Sequence, residues 1–282
     1  MCLNCVIGGP GGSIQTYSSM RCLELADLTL QLPNATKAFA GLEAEQAMLW
    51  GGEFDWLMEN VPCLEAVLSE DERLRSRSFH FDTDRKKFIV ARGLLRVLLG
   101  QYLGKKASRI RFAYNAYGKP SLAGSGLEFN LSHSDNRLLF GFTTCQSIGV
   151  DIEKVRAELY ADSIAQENFA PREVEVLKRY PNHAIDNFFT FWTCKEAVLK
   201  GMGKGITREL REIDLSRMVK KHCGTFIFAM AGSPSTSWRV TRLNHLPGYA
   251  VAVALNGAEK PLIYREITQD MVNEVLRNTG RL

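Results

Sequence analysis

The chain has 282 residues, 45% hydrophobic and 23% charged, the balance of a globular protein with a substantial core. That length allows one large domain or two of ordinary size, and the composition excludes a disordered chain, a collagen-like repeat and a small disulfide-stapled scaffold. The formal net charge of +4 hides a segregation: Glu24 to Glu72 carries eleven acids against the one base Lys37, whereas Arg73 to Lys119 carries thirteen bases against Asp82 and Asp84. A block that basic calls for an anionic partner, and composition leaves nucleic acid, a membrane surface, phosphorylated small molecules and an acidic protein all open.

Residues 1–20 read as an irregular lead-in. Its GGPGGS run lacks the Gly-Lys-Ser/Thr ending of a phosphate-binding loop, so it reads as linker. Cys2 and Cys5 have CxxC spacing but no second pair to complete a zinc site, so the seven cysteines read as reduced thiols of a cytoplasmic protein. No basic segment precedes an apolar one at the start, and no secretory signal is expected. The most apolar helical stretch, Phe88 to Leu103, is interrupted by Arg92 and Arg96 and does not suit a bilayer.

Trp56 to Leu68 is short and mixed. Ser69 and Glu72 form a capping-box pattern that opens a helix through Ser78. Asp84 is expected to cap the next helix, in which Phe88, Ala91, Leu95, Leu98 and Tyr102 make one buried face. Arg85, Arg92 and Arg96 fall off that stripe and read as a solvated basic face. Strands are expected at Ile110–Tyr114, Leu127–Leu131, Leu138–Thr143 and Ser147–Val155, divided by Gly, Pro, Asn and Asp turn residues.

Pro171 starts a helix through Leu177, and Asp186 to Lys200 forms another, ended by the glycines of GMGKGI. Strands follow at Thr225–Met230, Trp238–Arg242 and Tyr249–Leu255, then an amphipathic helix from Thr268 to Arg277 closed by Gly280. This order predicts an α+β protein of two halves meeting near residues 145–148. The expected division is an N-terminal extension (1–50), an N-terminal half (51–146), a C-terminal half (147–265) and a C-terminal helix (266–282).

Three features carry chemistry. In IGVDIEKV (148–155), strand alternation points Asp151 and Glu153 to one side and Val150 and Ile152 into the core. Two such carboxylates repel unless a cation or base lies between them, and a hard divalent ion suits oxygen ligands. An edge strand with acidic decoration is the plainer alternative. In FFTFWTCKEAVLK (188–200), Phe188, Trp192 and Leu199 form an apolar stripe while Glu196 and Lys200 share another face. They read either as a helical ion pair or as a third acid and a phosphate-binding lysine. YGKP (117–120) puts Lys119 in a tight turn, and FNLSHS (129–134) places Ser132 and His133 at a strand end, suited to an anionic oxygen. Activation of Ser132 by the adjacent His133 is sterically poor, because neighbours on a strand diverge.

YGKP, FNLSHS, GVDIE and FWTCKEAVLKGMGKG, in this order, resemble the signature blocks of the surfactin-type (Sfp-type) 4′-phosphopantetheinyl transferases. RSFHFDTDRKKFIVARGLLR (77–96) is similar to the family's helical lead-in, so the resemblance covers most of 69–255, while 1–50 and about the last 25 residues resemble nothing named. The resemblance implies a pseudo-twofold pair of α+β halves with the active site between them. It implies transfer of phosphopantetheine from coenzyme A to a serine of an apo acyl or peptidyl carrier protein. Asp151, Glu153 and Glu196 match the acids for Mg²⁺, with Mn²⁺ as substitute, and Lys200 matches the lysine on the pyrophosphate. Gly118, Lys119, Pro120, Asn130, Ser132 and His133 match coenzyme A contacts, and Arg75 and Lys87 are the nearest matches to its bases in the first helices.

Glu196 is the candidate base and Lys200 its catalytic companion. The pathways implied are fatty acid, polyketide or nonribosomal peptide synthesis, in a cytoplasmic monomer with no nucleic-acid or membrane partner. A nucleic-acid-binding module built on the basic block, or another Mg²⁺-dependent enzyme of coenzyme A or nucleotides, is the alternative. The acidic segment is expected to fold back on bases that the substrate does not use.

Overall fold

The computed structural model describes residues 5–6, 42, 46–156, 162–204, 208–220, 224–230 and 233–279. The GGPGGS run, Cys2, most of the acidic stretch before residue 46, the end of GMGKGI and Gly280 lie outside them. The chain opens with strands β1 (Cys5–Val6) and β2 (Ala47–Glu53), then helices α1 (Phe54–Leu57), α2 (Val61–Ala66), α3 (Glu70–Arg77) and α4 (Asp82–Leu103). Five strands follow: β3 (Ala113–Tyr114), β4 (Pro120–Ser121), β5 (Leu127–Ser134), β6 (Arg137–Thr144) and β7 (Ile148–Lys154). Next come α5 (Asp162–Asn168), α6 (Pro171–Arg179) and α7 (Ala184–Met202). Strands β8 (Gly224–Met230), β9 (Ser233–Leu243), β10 (Tyr249–Asn256) and β11 (Leu262–Glu266) precede α8 (Gln269–Thr279).

The strands form a sheet in the order β1-β11-β2-β6-β5, an antiparallel sheet in the order β7-β10-β9-β8, and the small β3–β4 hairpin. Each large sheet packs one long helix. Trp50, Phe140, Phe142, Leu94 and Leu98 lie in the cluster between the first sheet and α4, and Phe188, Phe191, Leu199, Trp238 and Val240 in that between the second sheet and α7. A third cluster, with Ala47, Leu49, Leu139, Val150, Ile152, Val251 and Val253, joins the two sheets face to face. In β10 the alternation is visible residue by residue: Ala250, Ala252 and Ala254 face α7, whereas Val251, Val253 and Leu255 face the other sheet. The small face lets the helix approach, and the branched face fills the space between sheets.

The structure departs from the sequence reading in several places. Strands β2 and β11 were not anticipated, because β2 is buried on both faces and shows no polar alternation. Residues 47–50, expected in an extension, begin an interior strand of the first sheet. β11, expected to end the C-terminal half, pairs parallel with β2 there and covers what would otherwise be an open edge. Of Ile110–Tyr114 only the last two residues are strand. Helix α4 starts at Asp82 with Phe81 at its N-cap, so Asp84 sits in the first turn, where a carboxylate complements the helix dipole. Helix α7 is buried almost all round rather than along one stripe. Among the described residues Cys63, Cys145 and Cys194 are free thiols.

Of the expected basic face of α4, Arg85 is partly exposed but Arg92 and Arg96 are not solvated. Arg96 and Arg92 are 1% and 8% exposed. Arg96 Nε meets Glu72 Oε2 at 2.5 Å, and Arg92 Nε meets Glu72 Oε1 at 3.4 Å. Arg96 also donates to the Ala107 and Ile110 carbonyls. Glu72 closes the capping box as well, accepting the Ser69 amide at 3.0 Å. Glu65 reaches Arg85 at 3.6 Å, so Glu65 and Glu72 of the acidic segment fold back on bases that follow it, while its part before residue 46 lies almost wholly outside the described residues. Glu72→Ala strands two buried guanidinium groups and is expected to destabilise the fold by about 3–5 kcal/mol in urea titrations, while Glu72→Met with both Arg92→Met and Arg96→Met recovers much of the loss.

Candidate active site at the seam between the sheets

β5 and β7 are edge strands of different sheets, and side chains join them. Asn130 Oδ1 accepts the Val150 amide at 3.0 Å, Ser132 Oγ the Ile152 amide at 3.4 Å and Ser134 Oγ the Lys154 amide at 3.1 Å. The sequence separation stays at 20 across all three bonds, so the two strands run in the same direction. Alternate polar residues along β5 thus satisfy amides that an edge strand leaves unpaired.

Two of these hydroxyls also orient the acids. Ser132 Oγ donates to Asp151 Oδ1 at 2.8 Å, and Ser134 Oγ donates to Glu153 Oε2 at 2.7 Å. Lys200 Nζ completes a triangle, 2.5 Å from Asp151 Oδ1 and 2.9 Å from Ser132 Oγ. The ammonium therefore bonds to Asp151 on the neighbouring strand β7, and across the seam to Ser132, rather than along its own helix to Glu196.

Gly149 makes this approach possible. A Cβ there, on the face of β7 that carries Asp151, would lie 1.8 Å from the Ala197 carbonyl oxygen and 2.4 Å from the Gly201 nitrogen. Behind Glu196, Lys195 Nζ sits 2.7 Å from Glu173 Oε2, with both side chains fully buried. Lys195 also donates to the Leu210 and Ile213 carbonyls, and Glu173 accepts the Ala170 and Leu215 amides. Every polar atom of this pair has a partner, which fixes the turn of α7 that presents Glu196.

Asp151 Oδ2 and Glu196 Oε1 are buried without a hydrogen-bond partner. Burial, and then the neighbouring Asp151 charge, push the Glu196 carboxyl up to about 7. Glu153 is also raised by burial, against the lowering effect of its Ser134 bond. Among the described residues no trio of His, Cys, Asp or Glu is already gathered as a metal cage. What the seam does hold is two orphaned carboxylate oxygens beside an Asp151 charge that adds to the proton affinity of Glu153 and Glu196, a donor set that fits a hard divalent cation.

The predicted coenzyme contacts divide. His133 stands edge-on to the Phe54 ring at 5.7 Å, and Lys87 Nζ lies 5.4 Å from that ring on its way to the Asp135 carbonyl at 2.7 Å. Desolvation first, then Lys200 and Lys87, hold the His133 pKa below its usual value. Arg75 lies over the Phe88 ring, at the end of α3, and makes no contact with the acids. Asn130 and Ser132 face β7 through the bonds given above. Gly118 takes a left-handed φ of 80° in the turn before Pro120, and Lys119 donates to the Gly201 carbonyl at 2.7 Å. Sequence reasoning missed Ser134, Lys195, Glu173 and Asn115. The alternation Asn130, Ser132, Ser134 was the one available signal among them.

Both parts of the chain resemble known proteins. Residues 147–254 match the 4′-phosphopantetheinyl transferase superfamily, and residues 56–140 match the N-terminal region of a 4′-phosphopantetheinyl transferase. The chain is 40% identical over 189 residues to 4′-phosphopantetheinyl transferase HetI of Nostoc sp. strain PCC 7120, covering 65% of this chain and 77% of that protein. The chain belongs to the 4′-phosphopantetheinyl transferase superfamily. The transferase is also 30% identical over 147 residues to 4′-phosphopantetheinyl transferase Sfp of Bacillus subtilis strain 168, covering 51% of this chain and 64% of that one. A human relative, L-aminoadipate-semialdehyde dehydrogenase-phosphopantetheinyl transferase, is 28% identical over 57% of this chain and 58% of its own length. The two-half α+β architecture expected from the resemblance is thereby borne out, as is the transferase activity. No helix among the described residues is long and apolar enough to cross a membrane.

The His133 ring is expected to titrate below 6.5 in NMR spectra of the free transferase, identified by its loss in His133→Gln. Removing a nearby positive charge with Lys87→Met favours the protonated ring and moves that titration upward.

Proposed function

We propose that the transferase moves 4′-phosphopantetheine from coenzyme A to a serine hydroxyl of an apo acyl or peptidyl carrier protein, with Mg²⁺, releasing 3′,5′-ADP. The observation that carries this reading is the Ser132–Asp151–Lys200 triangle, set beside two unpartnered carboxylate oxygens at the seam of a chain of this superfamily. The serine oxygen bonds to the pantetheine-bearing phosphorus, the phosphoanhydride bond to 3′,5′-ADP breaks, and the serine proton passes to Glu196, directly or through one water.

Lys200 faces the diphosphate, orientated by Asp151 and Ser132. His133 and Lys87, braced on Phe54, add donors for the remaining phosphate, with Arg75 at the rim. Asp151, Glu153 and Glu196 would hold Mg²⁺, or Mn²⁺ in its place, and when bound the ion neutralises charge developing on the leaving group. Asn130 and Ser134 act through β7 and its acids rather than on coenzyme A directly. Gly118, Lys119 and Pro120 shape the opposite wall. The transferase acts in the cytoplasm as a monomer, since both walls of the seam come from one chain.

Incubation with coenzyme A, Mg²⁺ and an apo carrier protein is expected to yield the phosphopantetheine adduct by mass spectrometry, and chelation to abolish it. An unmodified carrier at every coenzyme A concentration would sink the reading. Asp151→Ala and Glu196→Ala should each lower kcat by about a hundredfold or more at saturating Mg²⁺. Near wild-type turnover in either variant would remove these acids from the site.

A further inference from the structure

The last carbonyls of a helix find no partner within it. At the end of α7, Gly203 turns the chain with a left-handed φ of 70°, and the Gly203 and Lys204 amides reach back to the Lys200 and Leu199 carbonyls. The carbonyls of Gly201 and Gly203 are left facing the other half of the molecule. Both are taken by the β3–β4 hairpin: Lys119 Nζ donates to Gly201 and Asn115 Nδ2 to Gly203, each at 2.7 Å. A cation at this point also complements the negative end of the helix dipole.

Asn115 does two things with one carboxamide. Its Oδ1 accepts the amides of Tyr117 and Lys119 at 2.9 Å each, which builds the turn carrying Lys119. Its Nδ2 binds the turn to α7. The contact leaves no spare room, since a Cβ on Gly203 would lie 2.7 Å from Asn115 Nδ2 and 3.2 Å from Lys119 Cδ. The clasp therefore joins a loop of the first half to the helix end three residues beyond Lys200.

We propose that Asn115 is a positioning residue of the transferase, clasping the Tyr117–Pro120 turn to the end of α7 so that Lys119 and Lys200 face the phosphates of coenzyme A together. This rests on coenzyme A being the donor. Without the Asn115 bond only Lys119 on the Gly201 carbonyl ties the hairpin to α7, and that wall of the seam loosens, whereas Lys200 stays on Asp151 and Ser132. Binding suffers more than chemistry.

Two variants separate the clasp from the turn. Asn115→Asp keeps both turn acceptors and loses the donor to Gly203; Asn115→Ser keeps a turn acceptor, stays neutral and falls short of Gly203. Both are expected to raise KM for coenzyme A about tenfold, the scale of one lost supported hydrogen bond, with kcat changed by less than about twofold. In the protein without substrates, both should speed hydrogen exchange at the Gly203 and Lys204 amides while the melting temperature stays close to wild type.

Unchanged KM and exchange in both variants would overturn the proposal. So would a rise in KM confined to Asn115→Asp, which would report the added charge, and so would parallel losses of kcat, KM and melting temperature, which would report a structural role alone. If the wild type does not consume coenzyme A, the functional reading fails by itself, and the exchange measurement still decides whether the clasp exists.

Discussion

Everything at the seam depends on how two unpaired strand edges are reconciled. β5 and β7 meet as edges of different sheets, and an exposed edge carries a row of unsatisfied backbone groups. Asn130, Ser132 and Ser134 supply side-chain oxygens to the Val150, Ile152 and Lys154 amides. Because the same serines donate to Asp151 and Glu153, the bonds that hold the halves together also aim the acids. Structural closure and site geometry are thus one set of hydrogen bonds.

Around that seam, buried charge is handled in two ways. Glu173 with Lys195 is an interior ion pair with every polar atom partnered, which anchors α7, while Glu72 holds Arg92 and Arg96 on α4 but leaves its Oε1 and Arg92 Nη1 without a hydrogen bond. At the seam the compensation is incomplete. Asp151 has Lys200 and Ser132 on one oxygen and nothing on the other, and Glu196 retains an unpartnered oxygen. Such imbalance is disfavoured in a purely structural core and useful where a cation or a proton is to be received.

Much of the fold was legible along the chain because its elements announce themselves by period and punctuation. The Ser69–Glu72 capping box, Pro171 at a first turn and the glycines after α7 stand where the structure ends or begins helices. β2 was hidden because burial on both faces erases alternation, and β11 because its partner lies far away in the chain. Arg92 and Arg96 were misread as solvated because the acid that neutralises them, Glu72, sits on a different helix. Of the site, the face shared by Asp151 and Glu153 followed from strand geometry, but the partner of Lys200 did not.

The charge segregation seen at the outset takes its meaning from these contacts. By itself the sequence determined the residue types at the site, their order along the chain and the faces they occupy, because periodicity of 2 and 3.6 is a local property. Only the tertiary structure decided that Glu72 of α3 neutralises the buried Arg92 and Arg96 of α4. It also decided that Lys200 bonds Asp151, and that Lys119 and Asn115 grip the end of α7. Those outcomes depend on distances between segments far apart in the chain, which no local pattern encodes.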